Sequence, residues 1–434
     1  MKIIYLAAGA GGFYCGACAR DVALARGLIR RGHDCLMLPL YTPLETDGPD
    51  PSAGRVFYGG LAAYLEQKSG FFRRRWPLVD RLLDQPWLLR AVARRAIDTR
   101  PEDLGEMTVS VLRGAEGRQA KELQRLLEFL DSQGRPDVVN LSNAMLSAVA
   151  GPIKERFKVP VVSTLQGEED FVNRLPEPHR AEAWRLLRRH AEKIDLFIAP
   201  SESYADEAAV MLGVPRARLR AVRPGVDTAV YRPAAEGSGS TGSPRPGRRI
   251  GCVSRCSPNK GTDLLCEAFA ALEARQPGRT TLALAGQVGT ADRAWYEALR
   301  DGLARRGLAE RVEFCGELEL AEKVAFLQGL DVFAQPSRFA ERRGMAALEA
   351  LACGVPIVVP RSGIFPEMVE LTGGGVVVEP ENAVALAEAL GRVLDDPAER
   401  ERMSRAARAG VEKYFSADIM TEATVAVYRE IVLS

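Results

Sequence analysis

Short apolar runs rich in β-branched residues recur along this chain, and each is followed by sequence of helical period: IIYLA, CLMLPL, DVVNLS, VPVVST, DLFIAP, then IGCVS, TLALAG, VEFCG, DVFAQPS and VPIVVP. Runs that are apolar throughout, rather than alternating, need both faces covered, and strands separated by helices pair in parallel. The chain is therefore expected to be an α/β protein built of βαβ units. Between positions 234 and 248 the sequence AAEGSGSTGSPRPGR has no periodicity and is rich in Gly, Ser and Pro, the composition of a linker. With 434 residues, more than one core usually holds, this break divides the chain into an N-terminal unit over 1–233 and a second over 249–415. A last helix, about 417–432, carries Ile419, Met420, Ala423, Val427 and Ile431 as its apolar positions.

Composition excludes several classes. Lys plus Arg is 58 against 57 for Asp plus Glu, a formal charge of +1 that gives no electrostatic case for nucleic acid. Hydrophobic residues are 47% and charged residues 26%, a globular balance, and no run of eighteen apolar residues offers a membrane span. The opening MKIIYLAAGA reads as a buried strand rather than a signal peptide, and eight scattered cysteines fit reduced thiols in a cytosolic protein.

Chemistry concentrates in loops at predicted strand ends, where ligands of such sheets bind. GAGGFYCGACAR, 9–20, is a glycine-rich turn into a helix, suited to phosphate, though it departs from the spaced dinucleotide fingerprint. In SRCSPNKG, 254–261, Arg255 and Lys260 flank a proline turn, two cations that suit a diphosphate as well as an ordinary charged surface. PGVD, 224–227, is a turn. FAERRGMAALEALACG, 339–354, sets Glu341 in a loop, Gly344 at the helix start, Met345, Leu348 and Leu351 on an inward stripe, and Glu349 within the helix. The first-turn N–H groups around Arg343, Gly344 and Met345 can take an anion, and the two carboxylates can accept from vicinal hydroxyls.

Taken together, the glycine-rich first loop, the SR-x4-KG pattern, the PGVD turn and E-x7-E running into ACGVPIVV resemble the retaining family 4 glycosyltransferases of the GT-B fold. The resemblance covers nearly the whole chain and is most specific over 331–359. It implies two Rossmann-like domains facing each other across a cleft, a C-terminal helix (416–434) crossing back to the first domain, and no metal or other cofactor. By that match Arg255 and Lys260 hold the diphosphate of a nucleotide sugar, Glu349 the ribose and Glu341 the donor sugar, while Gly16 approaches the phosphates. UDP is the first expectation for the nucleotide, with GDP or ADP as alternatives. The acceptor (saccharide, lipid or small molecule) and the oligomeric state stay open. Two departures stand out. Glu341, Arg342, Arg343 and Gly344 replace the common Glu-Gly-Phe-Gly, which points to recognition of an anionic group. Gln166, in STLQGEED, stands where many members carry a histidine, and it can position a sugar but cannot exchange protons near neutral pH.

Other readings compete. A GT-B phosphorylase or epimerase would use similar loops, and a catalytically silent sugar-binding or assembly protein would result if the altered loop cannot organise a donor. Cys15 and Cys18, with Cys252 and Cys256, form a poor zinc pattern because the second pair has x3 spacing. His33, His179 and His190 lack ligand spacing; His33 sits in a helix-ending turn, RRGHD, and the other two are expected at the surface. The segment 71–100 holds eight arginines against three aspartates. That charge fits peripheral contact with the inner face of a membrane, but a helical hairpin near the acceptor cleft is favoured.

Overall fold

The computed structural model describes residues 1–9, 16–41, 104–234 and 248–433. The linker expectation, apart from its ends, and the expectations for 71–100 lie outside these residues. The chain forms two compact units, Met1–Arg223 with Met420–Ser434, and Pro224–Ile419.

The first unit is a parallel sheet of six strands: β1 (Lys2–Ala7), β2 (Asp34–Pro39), β3 (Val138–Leu141), β4 (Val161–Thr164), β5 (Leu196–Ala199) and β6 (Leu219–Ala221), in the order β2-β1-β3-β4-β5-β6. Alternate residues of each strand enter different cores. Ile4 and Leu6 join Val139, Leu141 and the helices Gly105–Leu112 and Ala120–Ser132 on one face. Ile3, Tyr5 and Ala7 join Val138, Val162 and the helix Gly16–Arg30 on the other. This is the two-sided burial that non-alternating apolar runs predict.

The C-terminal helix Ala417–Val432 completes the second of these cores, to which four of its five expected apolar positions, Met420, Ala423, Val427 and Ile431, contribute and Ile419 does not. Met420, Thr421, Thr424, Val425, Val427 and Tyr428 are buried, whereas Ile419 is exposed and Ala423 and Ile431 are only half-buried. The reason is the partner surface: Thr421 packs on Gly27, where a Cβ would collide with its side chain. The Thr424 hydroxyl meanwhile donates to the Met420 carbonyl 2.8 Å away and needs no other partner. Arg220 pairs with Glu430 at the rim of the same unit. Among the described residues no helix is long and apolar enough to cross a membrane.

The second unit repeats the plan with β7 (Arg248–Val253), β8 (Thr280–Ala285), β9 (Val312–Gly316), β10 (Val332–Ala334), β11 (Ile357–Pro360) and β12 (Gly375–Val378), ordered β12-β11-β10-β7-β8-β9, all parallel. In both sheets the order reverses beside the first strand. In such folds the crevice outside the carboxyl ends of the strands at the reversal is where loops diverge and ligands sit. In the second unit that point lies between β7 and β10, which pair through Val332 with Ile250 and Phe333 with Gly251. The loops leaving those two strands are 254–261 and 335–344.

Candidate active site

Two glycines shape the 254–261 and 335–344 loops. Gly261 has φ +69°, and a Cβ there would collide with the carbonyl oxygen of Pro336, so the two loops touch backbone to backbone. Arg338 fastens the contact. Its backbone N–H donates to the Asn259 carbonyl at 2.9 Å, and its guanidinium grips Asp263 through two bonds of 2.8 and 2.9 Å. At the far end Gly344, at φ +59°, caps the helix Met345–Ala352 and packs beside Ile364, Phe365 and Met368.

This arrangement delivers Lys260 to Glu341. The ammonium Nζ lies 2.6 Å from Glu341 Oε1 and 4.5 Å from the centre of the Phe339 ring. Gln335 Nε2 donates to the same carboxylate oxygen at 2.8 Å and the Ser337 hydroxyl at 2.9 Å. The Glu341 backbone carbonyl accepts from the Ile364 N–H at 2.8 Å, fixing the chain itself. Glu341 is 8% exposed, Gln335 3% and Ser337 2%, so this is a largely desolvated cluster in which each charge-assisted bond counts for more than it would in water. Arg255, the second residue after β7, is exposed and makes no ion pair among the described residues. The structure therefore fixes one of the two predicted cations and leaves the other at the surface. Arg342 and Arg343 are both half-buried.

Glu349 lies in the helix Met345–Ala352, which is buried on nearly every side rather than along one stripe, and the residue is only 1% exposed. Its Oε1 is 3.4 Å from Lys323 Nζ, an ammonium that also sits 5.1 Å from the Tyr231 ring centre. The sequence reading missed Lys323. Its signal was a lysine at the first position of an i, i+3, i+4 stripe with Phe326 and Leu327, facing the core.

In the first unit Gln166 follows β4 and is buried. Its Nε2 donates to the Ser142 carbonyl at 2.6 Å and lies 3.2 and 3.3 Å from the two carboxylate oxygens of Asp21. Asp21 also accepts from the Tyr5 hydroxyl at 2.7 Å and from Arg20 at 2.9 Å. Burial pushes the Asp21 carboxyl up despite its cationic neighbour Arg20. Next to Gln166, Glu168 accepts from three backbone N–H groups, those of Ala144 at 2.7 Å, Gln166 at 2.9 Å and Gly167 at 3.0 Å. Burial still pushes its carboxyl up, against those bonds. Gly16 opens the helix Gly16–Arg30, and residues 10–15 of its loop, Cys15 included, lie outside the described residues. Neither Asp21 nor Glu168 was singled out from sequence.

The remaining candidates have structural places. Cys18 is buried in the first unit's core. Burial pushes the Cys252 thiol up to about 11 and the Cys256 thiol up to about 12, so neither is a ready thiolate. Among the described residues no three His, Cys, Asp or Glu side chains cluster to hold a metal. His179 and His190 are half-buried rather than surface groups, because they serve packing: His179 rests on Gly105, and His190 Nε2 is 2.7 Å from the Leu112 carbonyl oxygen.

Comparison with known proteins bears on this geometry. Residues 236–410 match the family described as Glycosyl transferases group 1, and residues 106–230 match Glycosyltransferase Family 4. Glycogen synthase of Mycobacterium tuberculosis is 32% identical over 308 residues, 69% of this chain and 70% of that protein. D-inositol 3-phosphate glycosyltransferase of Acidothermus cellulolyticus is 30% identical over 435 residues, 95% of this chain and 93% of that one. Among solved structures, Anabaena HepE in complex with UDP superposes with a TM-score of 0.69 at 19% identity, covering 99% of this chain and all of that one. Two matched family regions, one in each unit, and identity at this level over nearly the full length of a relative lead to one conclusion: the chain belongs to the glycosyl transferases group 1, in glycosyltransferase family 4, with the GT-B fold.

Proposed function

We propose that this protein is a metal-independent, retaining glycosyltransferase that takes a hexosyl group from a nucleotide-diphosphate sugar, with UDP the first nucleotide to test and GDP or ADP the alternatives. The observation that carries the reading is the meeting of Lys260 with Glu341 where the order of the second sheet reverses. Lys260 has three ammonium protons and spends one on Glu341, so the others can face a diphosphate while the carboxylate accepts from a sugar hydroxyl. Arg255 would join Lys260 on the diphosphate, Glu349 would accept from the ribose, and Arg343, Gly344 and Met345 would offer the N–H groups of a helix start. Gly16 and Gln166 would belong to the first unit's contribution, to phosphate and to acceptor or sugar.

In this mechanism the bond from C1 to the diphosphate oxygen breaks while the acceptor oxygen bonds C1 on the same face, and the departing diphosphate takes the acceptor's proton. No protein nucleophile is needed. The chain's residues supply position and charge. The test is a screen of UDP-, GDP- and ADP-linked sugars for binding and for slow hydrolysis without acceptor. Binding of none of them, nor of the free nucleotides, overturns the reading.

Activity should survive EDTA, since Lys260 and Arg255 can neutralise the diphosphate in place of a divalent ion; loss with chelator and recovery with Mn²⁺ would contradict this. Glu341→Ala should lower kcat by roughly ten- to a hundredfold, the value of about 1.5–3 kcal/mol for a hydrogen bond to a charged group. Glu349→Ala should raise KM for the donor and leave kcat unchanged, because ribose bonds are alike in ground and transition states. The reverse split would exchange the two roles.

A further inference from the structure

We infer that Gln335 and Ser337 are positioning residues that dictate which oxygen of Glu341 meets the donor sugar, an inference that rests on the proposed role of Glu341. Three donors converge on one oxygen: Lys260 Nζ at 2.6 Å, Gln335 Nε2 at 2.8 Å and the Ser337 hydroxyl at 2.9 Å, all on Oε1. No described residue donates to Oε2. A carboxylate has about four lone-pair sites over its two oxygens, and loading three donors on one side turns a symmetric group into one with a saturated oxygen and an open one. The open oxygen is the one that can accept from a sugar hydroxyl, and its orientation is set before the ligand arrives.

The burial of the two donors shows that this arrangement is built rather than incidental. Gln335 and Ser337 are almost wholly buried, and Gln335 keeps its amide nitrogen on Glu341 even though its own Oε1 is buried with no partner. A buried unpartnered carbonyl is costly, and a leucine of similar size would avoid it, so the donating half of the amide must be what fits this side chain to the site. Both residues are also placed by constraints unrelated to Glu341. β10 ends at Ala334, Pro336 is packed against Gly261, and Arg338 is fastened to Asn259 and Asp263. The loop thus holds positions 335 and 337 from either side and presents their side chains to the carboxylate.

The inference separates two quantities that a general loosening of the loop would change together. Gln335 and Ser337 act on the sugar through Glu341, so removing either donor should weaken the grip on the sugar and leave the nucleotide alone. The experiment compares full-length wild type with Ser337→Ala, Gln335→Leu and Ser337→Thr by calorimetry against UDP-glucose and UDP, with GDP-mannose and GDP, and ADP-glucose and ADP, run in parallel. Steady-state kinetics are measured with whichever donor is turned over. For Ser337→Ala and Gln335→Leu the affinity for the nucleotide sugar relative to its nucleotide should fall about tenfold, and kcat by a similar factor, the usual value of a hydrogen bond to a charged group. Free-nucleotide affinity should stay within about threefold of wild type, under 1 kcal/mol. Ser337→Thr, which keeps the hydroxyl, should restore both quantities. If Ser337→Ala does not fold, Gln335→Leu carries the same comparison.

Unchanged ratios and kcat in folded variants overturn the inference, as does an equal loss of nucleotide and nucleotide-sugar affinity, which would mark a loop-wide effect through Lys260. A wild type that binds none of the six probes overturns the function proposed above instead.

Discussion

Lys260→Ala should slow the chemical step at least a hundredfold while weakening intact donor much less. As the glycosidic bond breaks, negative charge gathers on the departing diphosphate, so a cation fixed beside it stabilises the transition state more than the ground state. The structure adds the reason to single out Lys260 from Arg255. Lys260 is already held, 2.6 Å from Glu341 and over the Phe339 ring, and needs little reordering when a donor enters. Arg255 is exposed and would have to be ordered by the ligand itself. Loss of a preorganised charge costs about 2 to 4 kcal/mol in the barrier. Arg255→Ala should therefore fall between wild type and Lys260→Ala. Free nucleotide diphosphate, which carries the developed charge, should also bind Lys260→Ala less tightly. Single-turnover rates at saturating donor decide the matter: a Lys260→Ala rate within about threefold of wild type, under 1 kcal/mol, means that the diphosphate is not held there.

The same lysine shows how much of this molecule could be read from the sequence. Lys260 and Glu341 stand 81 positions apart, and each was marked by its own local signal, a cation after a strand and an acid before a helix. What no local pattern gives is that β7 and β10 are neighbours, because sheet order is set by how the helices pack and not by the strands' own composition. The β-strands that sequence reading found are those with apolar runs of four to six residues ahead of a helical pattern. It missed β6, whose LRA is interrupted by arginine, and β12, whose GVVV follows two further glycines. Both are edge strands, and they are shorter than the other two edges, β2 and β9, which were found, so their sequences carry a weaker stamp. Gln335 and Ser337 were hidden for a related reason. DVFAQPS reads as one strand, but only Val332–Ala334 is strand, and the polar tail belongs to the site. Arg20 and Asp21, bonded to Tyr5 of β1, stand at buried positions of the helix Gly16–Arg30 where periodicity expects apolar residues, so charge within an inward face was the available clue.

Glu349 poses the sharper question, because the carboxylate expected to serve ribose is buried and already held by Lys323. Its role in stability can be separated from its role in binding. Lys323→Met keeps most of the side-chain volume but removes the ammonium beside Glu349 in the interior, and removing one member of a buried pair usually costs about 3 to 5 kcal/mol. At the few degrees per kcal/mol typical of a unit this size, that is a fall in the melting midpoint on the order of 10 °C. Adding Glu349→Leu should recover most of the loss, since a buried pair replaced by apolar groups of similar shape is often neutral. If Glu349 also holds ribose, the double variant should melt near wild type and yet bind the nucleotide about tenfold or more weakly, the value of losing a hydrogen bond to a charged group. A double variant that regains both stability and nucleotide affinity assigns the Lys323–Glu349 pair to the core alone. One that stays unstable shows that the pair fits this helix in a way that apolar side chains cannot replace.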